Sequence, residues 1–189
     1  EVYETAQKVK KELKTEFNKD IEILKVEDFN VDYNFSFASY LKRNLSLVLK
    51  ALQELKISIN LEIFNSTPLF GRCQKVSKNL FIDVGHNPLA AKVLLKENEN
   101  KKINLIYNSY ADKDYKEVLT ILKPIIKSIT ILDLEDKRVV EKEKLVEVIK
   151  ELNIDLKQNL EIKEDEEYLA FGSFLVVEKI LEIVGYENS

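Results

Sequence analysis

The chain has 189 residues, of which 45% are hydrophobic, and this is enough for one well-packed core with a smaller appended piece. Charged residues make up 33%, but the formal net charge is only −4 and the pI is near 5.3. This balance argues against sequence-independent nucleic-acid binding, which needs a basic face. No apolar run approaches the roughly 18 residues of a membrane span and no signal peptide is visible, so we expect neither nucleic acid nor membrane as a partner.

Cysteine and methionine usage gives further expectations. The single cysteine, Cys73, cannot form an internal disulfide, and with one histidine it cannot build an all-Cys/His zinc site, which predicts a cytoplasmic, reducing compartment. The chain contains no methionine and begins Glu-Val-Tyr, which predicts a fragment of a longer protein. Its four glycines, at 71, 85, 172 and 185, fit no G-x-x-x-x-G-K-[ST] phosphate loop, so nucleotide chemistry by this chain alone would be incomplete.

The first third of the sequence predicts two helices separated by a strand. Apolar residues at helical spacing predict amphipathic helices over residues 5–17 and 40–55. Residues 21–26 predict a strand. Residues 57–63 are ambiguous, because their apolar alternation favours a strand whereas Leu61 and Phe64, three residues apart, favour a short helix before Pro68.

From Gly71 onward, predicted strands and helices alternate. The strands cover residues 80–84, 103–107, 128–132 and 168–171, and the helices cover residues 88–96, 115–122, 141–152 and 174–184. Almost continuously apolar strands that alternate with amphipathic helices predict an α/β protein with a mostly parallel, Rossmann-like sheet and helices on both faces. The acidic run at residues 164–167 predicts a solvated loop.

Polar residues follow the first of these strands, at the sheet edge where ligands of such folds bind. Asp83 ends the strand, and a carboxylate there needs backbone amides, a basic residue or a ligand as partners, or else simply caps the turn. The only histidine, His86, follows at a helix N-terminus, which is a ready anion site. Asn87 is expected to cap that helix, with Pro88 at its first position.

Three further segments give weaker signals. Arg72 follows Gly71, and this pair indicates either a phosphate contact or a turn with a solvated side chain. Asp112 or Asp114 is expected to cap the helix that begins at residue 115, and Ser173 either caps the last helix or binds a carboxylate. Cys73 is expected to have no nearby base and to be inert.

Taken in this order, the segments resemble motifs of the folylpolyglutamate synthase/dihydrofolate synthase family. The segment Asp83–Pro88 resembles the family's Asp-Gly-Ala-His-Asn-Pro, Gly71-Arg72 resembles its Pro-Gly-Arg, residues 111–114 resemble its Ala-Asp-Lys-Asp, and residues 172–174 resemble its Gly-Ser-Phe. The pair Arg43-Asn44 resembles the segment that closes the family's central ATPase domain. The sequence departs from these patterns at Phe70, where the family has proline, and at Val84-Gly85, where it has Gly-Ala.

The resemblance implies a fold and an activity. It implies an ATP-dependent ligase that activates the carboxylate of a folate or dihydropteroate as an acyl phosphate and joins it to L-glutamate, using ATP and Mg²⁺ whose protein ligands lie outside this chain. Residues 1–69 would be the remnant of a central ATP-binding domain plus linker, and residues 70–189 would be a Mur ligase C-terminal domain. The fragment is expected to be inactive alone, and the protein is expected to be a monomer.

The resemblance also implies roles for individual residues. Asn44, Arg72, Asp83 and His86 would bind ATP, His86 and Ser173 would bind L-glutamate, and no residue is assigned as a general base. Three alternatives stay open: a Mur-type peptidoglycan ligase, whose corner is similar, a non-catalytic nucleotide- or anion-binding module, and an α/β domain whose corner residues only cap helices. The Gly-Ser-Phe ending favours the folate branch.

Overall fold

The computed structural model describes residues 2–24, 39–62 and 69–186, which form two compact units. Of the described residues, the first unit comprises 2–24 and 41–59, and the second comprises 39–40, 60–62 and 69–186. None of the helices in these ranges has the length and apolar character that crossing a membrane requires.

The first unit is helical. Helix α1 spans Val2–Phe17 and α2 spans Ser39–Glu54, whose first two residues belong to the second unit, and both helices confirm the sequence prediction. The predicted strand at residues 21–26 is wrong for residues 21–24, which form no strand, and residues 25 and 26 lie outside the described ranges. Residues 57–62 form neither a strand nor a helix, and residues 63–68, onto which the alternative short helix before Pro68 extends, lie outside the described ranges. Apolar alternation is not sufficient for a strand, because a strand also needs a neighbouring ladder.

The second unit is built on a parallel sheet. Its strands are β1 Gln74–Lys75, β2 Leu80–Asp83, β3 Ile103–Tyr107, β4 Ile126–Ile131, β5 Asp155–Lys157 and β6 Tyr168–Phe171, in the order β1-β2-β6-β3-β4-β5. Only the pairing of β1 with β2 is antiparallel among these strands. The mostly parallel α/β architecture is therefore confirmed. The short strands β1 and β5 were not predicted, and β4 begins two residues earlier than expected.

Helices cover both faces of the sheet, as predicted. The helices of this unit are α3 Pro88–Glu97, α4 Tyr115–Leu122, α5 Lys142–Glu151 and α6 Phe174–Ile183, with a 3₁₀ turn at Lys123–Ile125. Alternate strand residues point to opposite faces. Leu105 and Tyr107 of β3 belong to the apolar cluster that contains residues of α3, α4 and α5, whereas Ile106 belongs to the cluster that contains residues of α6.

A buried polar cluster ties the amino ends of three strands together. Ser128 Oγ of β4 donates a hydrogen bond to Asn104 Oδ1 of β3 at 2.7 Å. Asn104 Nδ2 donates to Glu166 Oε2, just before β6, at 2.6 Å, and Lys127 Nζ lies 3.2 Å from Glu166 Oε1. Hydrogen bonds from Lys127 and Asn104 lower the pKa of Glu166. The acidic run at residues 164–167 is therefore not simply a solvated loop, because Glu166 anchors it to the sheet.

Candidate active site

The strand order creates a crevice at the carboxyl edge of the sheet. Strand β6 lies between β2 and β3, so the segments after these three strands leave the sheet side by side. The helix after β2 packs on one face and the helix after β6 packs on the other, as their separate apolar clusters show. Where neighbouring connections leave on opposite faces, an α/β sheet opens a ligand-binding crevice.

Asp83 organises one side of this crevice. Its side chain is 3% exposed. Asp83 Oδ1 accepts a hydrogen bond from the Gly85 amide at 2.7 Å. Asp83 Oδ2 accepts from the Cys73 amide at 3.0 Å, the Cys73 thiol at 3.5 Å and the Tyr40 hydroxyl at 3.2 Å. These donors compensate for the lost hydration of the carboxylate, and they fasten the end of β2 to the preceding turn.

Burial next to Asp83 keeps the Cys73 thiol and the Tyr40 hydroxyl protonated. Burial and the negative charge of Asp83 raise the pKa of Cys73 to about 12, and the same two causes raise the pKa of Tyr40 well above its usual range. A thiol with so high a pKa is a poor nucleophile, which supports the expectation that Cys73 is inert. The premise of that expectation is wrong, however, because the carboxylate of Asp83 lies within hydrogen-bond distance of the thiol.

The turn that carries Arg72 lies against the end of β2. The Val84 amide donates to the Gly71 carbonyl at 2.8 Å, and the Arg72 amide donates to the Leu69 carbonyl at 3.2 Å. The side chain of Arg72 is half-buried. The structure therefore brings Arg72 and Asp83 to the same corner of the sheet.

A depression of about 600 Å³ lies along the same edge. His86 after β2, Ser173 and Phe174 after β6, and Asp112 and Lys113 after β3 contribute to its lining. His86 Nδ1 lies 3.2 Å from the Val84 carbonyl oxygen, so Nδ1 can donate a hydrogen bond to this oxygen and Nε2 is left to contact a ligand. Lys113 Nζ pairs with Asp112 at 2.8 Å. The depression thus combines an imidazole, a hydroxyl and the ion pair of Lys113 with Asp112.

Each of the three predicted helix caps is present. Asn87 Oδ1 accepts a hydrogen bond from the Ala90 amide at 2.9 Å, Asp114 Oδ1 from the Glu117 amide at 3.0 Å, and Ser173 Oγ from the Val176 amide at 3.2 Å. Asp114, rather than Asp112, caps α4. Ser173 accepts through its oxygen, and no acceptor is present for its own hydroxyl hydrogen among the described residues, so it can donate to a ligand.

Close backbone contacts fix Ser173 in place. Gly172 has φ of 130°, and a Cβ on it would lie 1.9 Å from the Asn108 carbonyl oxygen. Asn108 in turn joins two strand ends, because its Nδ2 donates to the Leu132 carbonyl at 2.7 Å. Only glycine allows this approach of the segments after β6 and β3.

Four of the five residues predicted to bind ATP or glutamate lie at this edge. They are Arg72, Asp83, His86 and Ser173. The fifth, Asn44, is exposed on α2 and belongs to the first unit. Lys113 and Arg138, which also line the depression, were missed as site residues. The Asp-Lys-Asp motif was a usable signal for Lys113, whereas Arg138 lies in a loop without a recognisable pattern.

Across residues 2–24, 39–62 and 69–186, no three His, Cys, Asp or Glu side chains cluster closely enough to hold a metal ion.

Solved structures similar to this chain are folate ligases. Folylpolyglutamate synthetase of Helicobacter pylori is 39% identical over 98% of this chain, with a TM-score of 0.68. FolC of E. coli in complex with DHPP and ADP is 24% identical over 75% of this chain, with a TM-score of 0.64. A bifunctional folylpolyglutamate synthase/dihydrofolate synthase with Mn, AMPPNP and L-glutamate bound is 20% identical over 79% of this chain, with a TM-score of 0.63. The last two likenesses are evidence of the fold alone.

The chain corresponds to only part of these proteins. It spans 51% of the H. pylori protein, 38% of the E. coli protein and 40% of the bifunctional synthase. No protein-family model and no curated protein matches the chain. The identity to the H. pylori protein extends over almost the whole chain, and the parallel sheet is shared with all three structures. The chain therefore belongs to the folylpolyglutamate synthase/dihydrofolate synthase family, to whose C-terminal part it corresponds.

Proposed function

We propose that this chain is part of an ATP-dependent ligase that joins L-glutamate to a folate or dihydropteroate through an acyl phosphate. The observation that carries the proposal is the convergence of Asp83, His86 and Ser173 at one carboxyl edge, in a chain 39% identical to a folylpolyglutamate synthetase. Residues 1–69 would then be the end of a central ATP-binding domain plus linker, and residues 70–189 a C-terminal domain. Because the chain spans about half of its relatives, the activity belongs to the full-length protein.

The corner around Asp83 fits a nucleotide. ATP supplies the phosphoryl group that activates the carboxylate, and Mg²⁺ is expected to be held by residues outside this chain. Asp83 accepts hydrogen bonds only, so it can take a sugar hydroxyl at Oδ2 in place of the Tyr40 hydroxyl. Arg72, on the adjoining turn, supplies positive charge for phosphate, and His86 lies between this corner and the depression. Asn44 completes the proposed ATP-binding set.

The depression fits an amino acid with free carboxylates. Ser173 has a hydroxyl hydrogen to donate, and it sits at the N-terminus of α6, where the backbone amides and the helix dipole favour an anion. His86 offers Nε2 as an acceptor for the ammonium group. Lys113 also lines the depression, where its ammonium group is paired with Asp112. We assign Ser173 and His86 to glutamate binding on these grounds.

Substrate dependence of the full-length protein tests the proposal. Phosphate release from ATP is measured with L-glutamate and, in turn, dihydropteroate, tetrahydrofolate or a UDP-muramyl substrate, with each substrate omitted in a matched control. We expect release that requires both L-glutamate and a pterin. Release that occurs only with the muramyl substrate would assign the protein to peptidoglycan synthesis, and no release with any of them would contradict a ligase.

A further inference from the structure

Arg138 lines the depression, and the proposed function gives it no role. Its backbone is fixed to the segment after β3 on both sides. The Ala111 amide donates to the Arg138 carbonyl at 2.8 Å, and the Val140 amide donates to the Ser109 carbonyl at 2.9 Å. Arg138 therefore has a defined position on the wall of the depression, although it lies in the loop after β4.

The guanidinium of Arg138 is also held in one orientation. Asp136 Oδ1 accepts a hydrogen bond from Nε at 3.1 Å, and Asp136 Oδ2 accepts from Nη2 at 2.7 Å. The guanidinium also lies over the Tyr110 ring, whose centroid is 4.8 Å from Cζ. Arg138 lowers the pKa of Asp136 to about 2, so this pair stays ionised at neutral pH. Such a clamp orders an arginine before any ligand arrives, which lowers the entropy lost on binding.

The clamp leaves donors for a ligand. Arginine carries five N–H donors, and the contacts with Asp136 use the Nε donor and one of the two Nη2 donors. No hydrogen bond occupies Nη1 within residues 2–24, 39–62 and 69–186. The Arg138 side chain is 72% exposed, so these donors face solvent at the rim. The planar fork of a guanidinium matches the oxygens of a carboxylate or a phosphate.

The order of the strands tells which carboxylate Arg138 can reach. Along the edge, His86 follows β2, Ser173 follows the adjacent β6, Lys113 follows β3, and Arg138 follows β4. The Arg138 backbone is hydrogen-bonded to Ala111 in the segment after β3, and β3 lies two strand positions from β2, with β6 between them. Under the proposed function, the reacting amine and the α-carboxylate of the amino acid, which share one carbon, would lie near His86 and Ser173. Its side-chain carboxylate would then extend toward Arg138.

We propose that Arg138 is a specificity-determining residue that binds the side-chain carboxylate of the amino-acid substrate. This inference rests on the proposed function. It makes Asp136 and Tyr110 positioning residues, which act through Arg138. It predicts that the depression favours L-glutamate over L-glutamine, which has the same shape without the side-chain charge.

Amino-acid selectivity of the full-length enzyme tests this inference. Phosphate release is measured at saturating ATP and pterin, with L-glutamate or L-glutamine varied, for the wild type, Arg138→Gln and Arg138→Lys. Lys137→Gln removes one positive charge from the same loop and is the matched control. We expect Arg138→Gln to raise the KM for L-glutamate at least about tenfold, with kcat and the KM for ATP within about twofold. The kcat/KM for L-glutamine should change less than about threefold, so the selectivity falls.

The other outcomes are distinct. Arg138→Lys keeps the charge but not the fork, so its KM should lie between those of the wild type and Arg138→Gln. An equal loss of kcat/KM for L-glutamate and L-glutamine in both variants would mean that Arg138 only stabilises the loop structure, and this result would overturn the inference. If the wild type needs L-glutamate and Arg138→Gln has the same selectivity as the wild type, the inference is overturned and the proposed function stays intact. A wild type that does not respond to L-glutamate would overturn both.

Discussion

At the scale of single residues, the close contacts in the turn after β2 require glycine at position 85. A Cβ on residue 85 would lie 2.7 Å from both Ala90 Cβ and Phe171 Cε2, and 2.9 Å from Asp83 Oδ1. The backbone at this position must approach that closely because the Gly85 amide donates to Asp83. The neighbouring Val84 side chain fills the space beside the preceding turn. The departure from the family's Gly-Ala pattern thus has a steric cause.

Cys73 should be almost unreactive in the folded protein. With a pKa of about 12, its native alkylation rate should rise tenfold per pH unit from pH 7 to 10 without a plateau, whereas the unfolded chain should level off above roughly pH 8.5. At pH 8 the alkylation rates of the folded and unfolded protein should differ roughly a thousandfold. Mass spectrometry after iodoacetamide treatment measures the rates at this single cysteine, and a native plateau below pH 10 would contradict the buried contact with Asp83.

The raised pKa of Cys73 also affects stability. Because the folded thiol keeps a proton that the unfolded thiol loses, this group makes the free energy of unfolding fall as pH rises from the pKa of the unfolded thiol to that of the folded thiol.

Gly172 should tolerate no side chain. The substitution Gly172→Ala places a Cβ inside the Asn108 carbonyl contact and should lower the free energy of unfolding by about 3 kcal/mol or more. Gly185→Ala is the control, because Gly185 also has positive φ, 64°, but nothing lies within 4 Å of its Cβ position; we expect about 1 kcal/mol there. Denaturant unfolding followed by circular dichroism measures both, since the chain has no tryptophan. Similar losses for the two variants would argue against the close approach of the strand ends.

Individual site residues were predictable where their contacts are local. The side chains of Asn87 and Asp114 accept hydrogen bonds from backbone amides three residues ahead and so cap the helices that follow them. Such capping patterns of Asn and Asp can be recognised in the sequence. Tyr40, by contrast, reaches Asp83 across 43 residues, and Arg138 reaches the depression only because β3 and β4 are neighbours. No spacing rule gives contacts of this kind, so these two residues could not be foreseen.

At the scale of secondary structure, length decided what the sequence could reveal. Helices of eight or more residues show their apolar period, and all of those predicted from residue 71 onward are confirmed. Strands β1 and β5 have two and three residues, which is too short for a period. Residues 57–62 show the opposite error, because they alternate like a strand without forming one.

The polar cluster at the amino ends of the strands should stabilise the sheet. Ser128→Ala removes the donor to buried Asn104 Oδ1 and should lower the free energy of unfolding by about 1–3 kcal/mol. Ser77→Ala is the matched control, because its hydroxyl lies on the exposed surface of the same unit and its removal should change stability by no more than about 0.5 kcal/mol. Denaturant unfolding of both variants gives the comparison. If Ser128→Ala changed the free energy of unfolding as little as Ser77→Ala does, the polar cluster would not stabilise the sheet.

At the scale of the whole molecule, the parallel sheet follows from its apolar strands, and the site follows from the sheet. The parallel order brings the carboxyl ends of β2, β6, β3 and β4 to one edge of the sheet. Segments that are far apart in sequence therefore meet at this edge, and they carry residues 83 and 86, 113, 138 and 173. The family resemblance supplied the chemistry that this edge is proposed to perform. The sequence alone could not supply the order of the strands, which makes β6 the neighbour of β2 and so places Ser173 near His86.

The KM for L-glutamate of Ser173→Ala in the full-length enzyme tests the central claim most directly. Ser128→Ala is its control, because both variants remove a buried serine hydroxyl from the same unit, one at the carboxyl edge and one at the amino end of the strands. We predict a rise of about tenfold or more for Ser173→Ala, since a hydrogen bond to a charged group is lost, and less than about threefold for Ser128→Ala. Equal changes in the two variants, or an unchanged KM in Ser173→Ala, would contradict a glutamate site at this edge of the sheet.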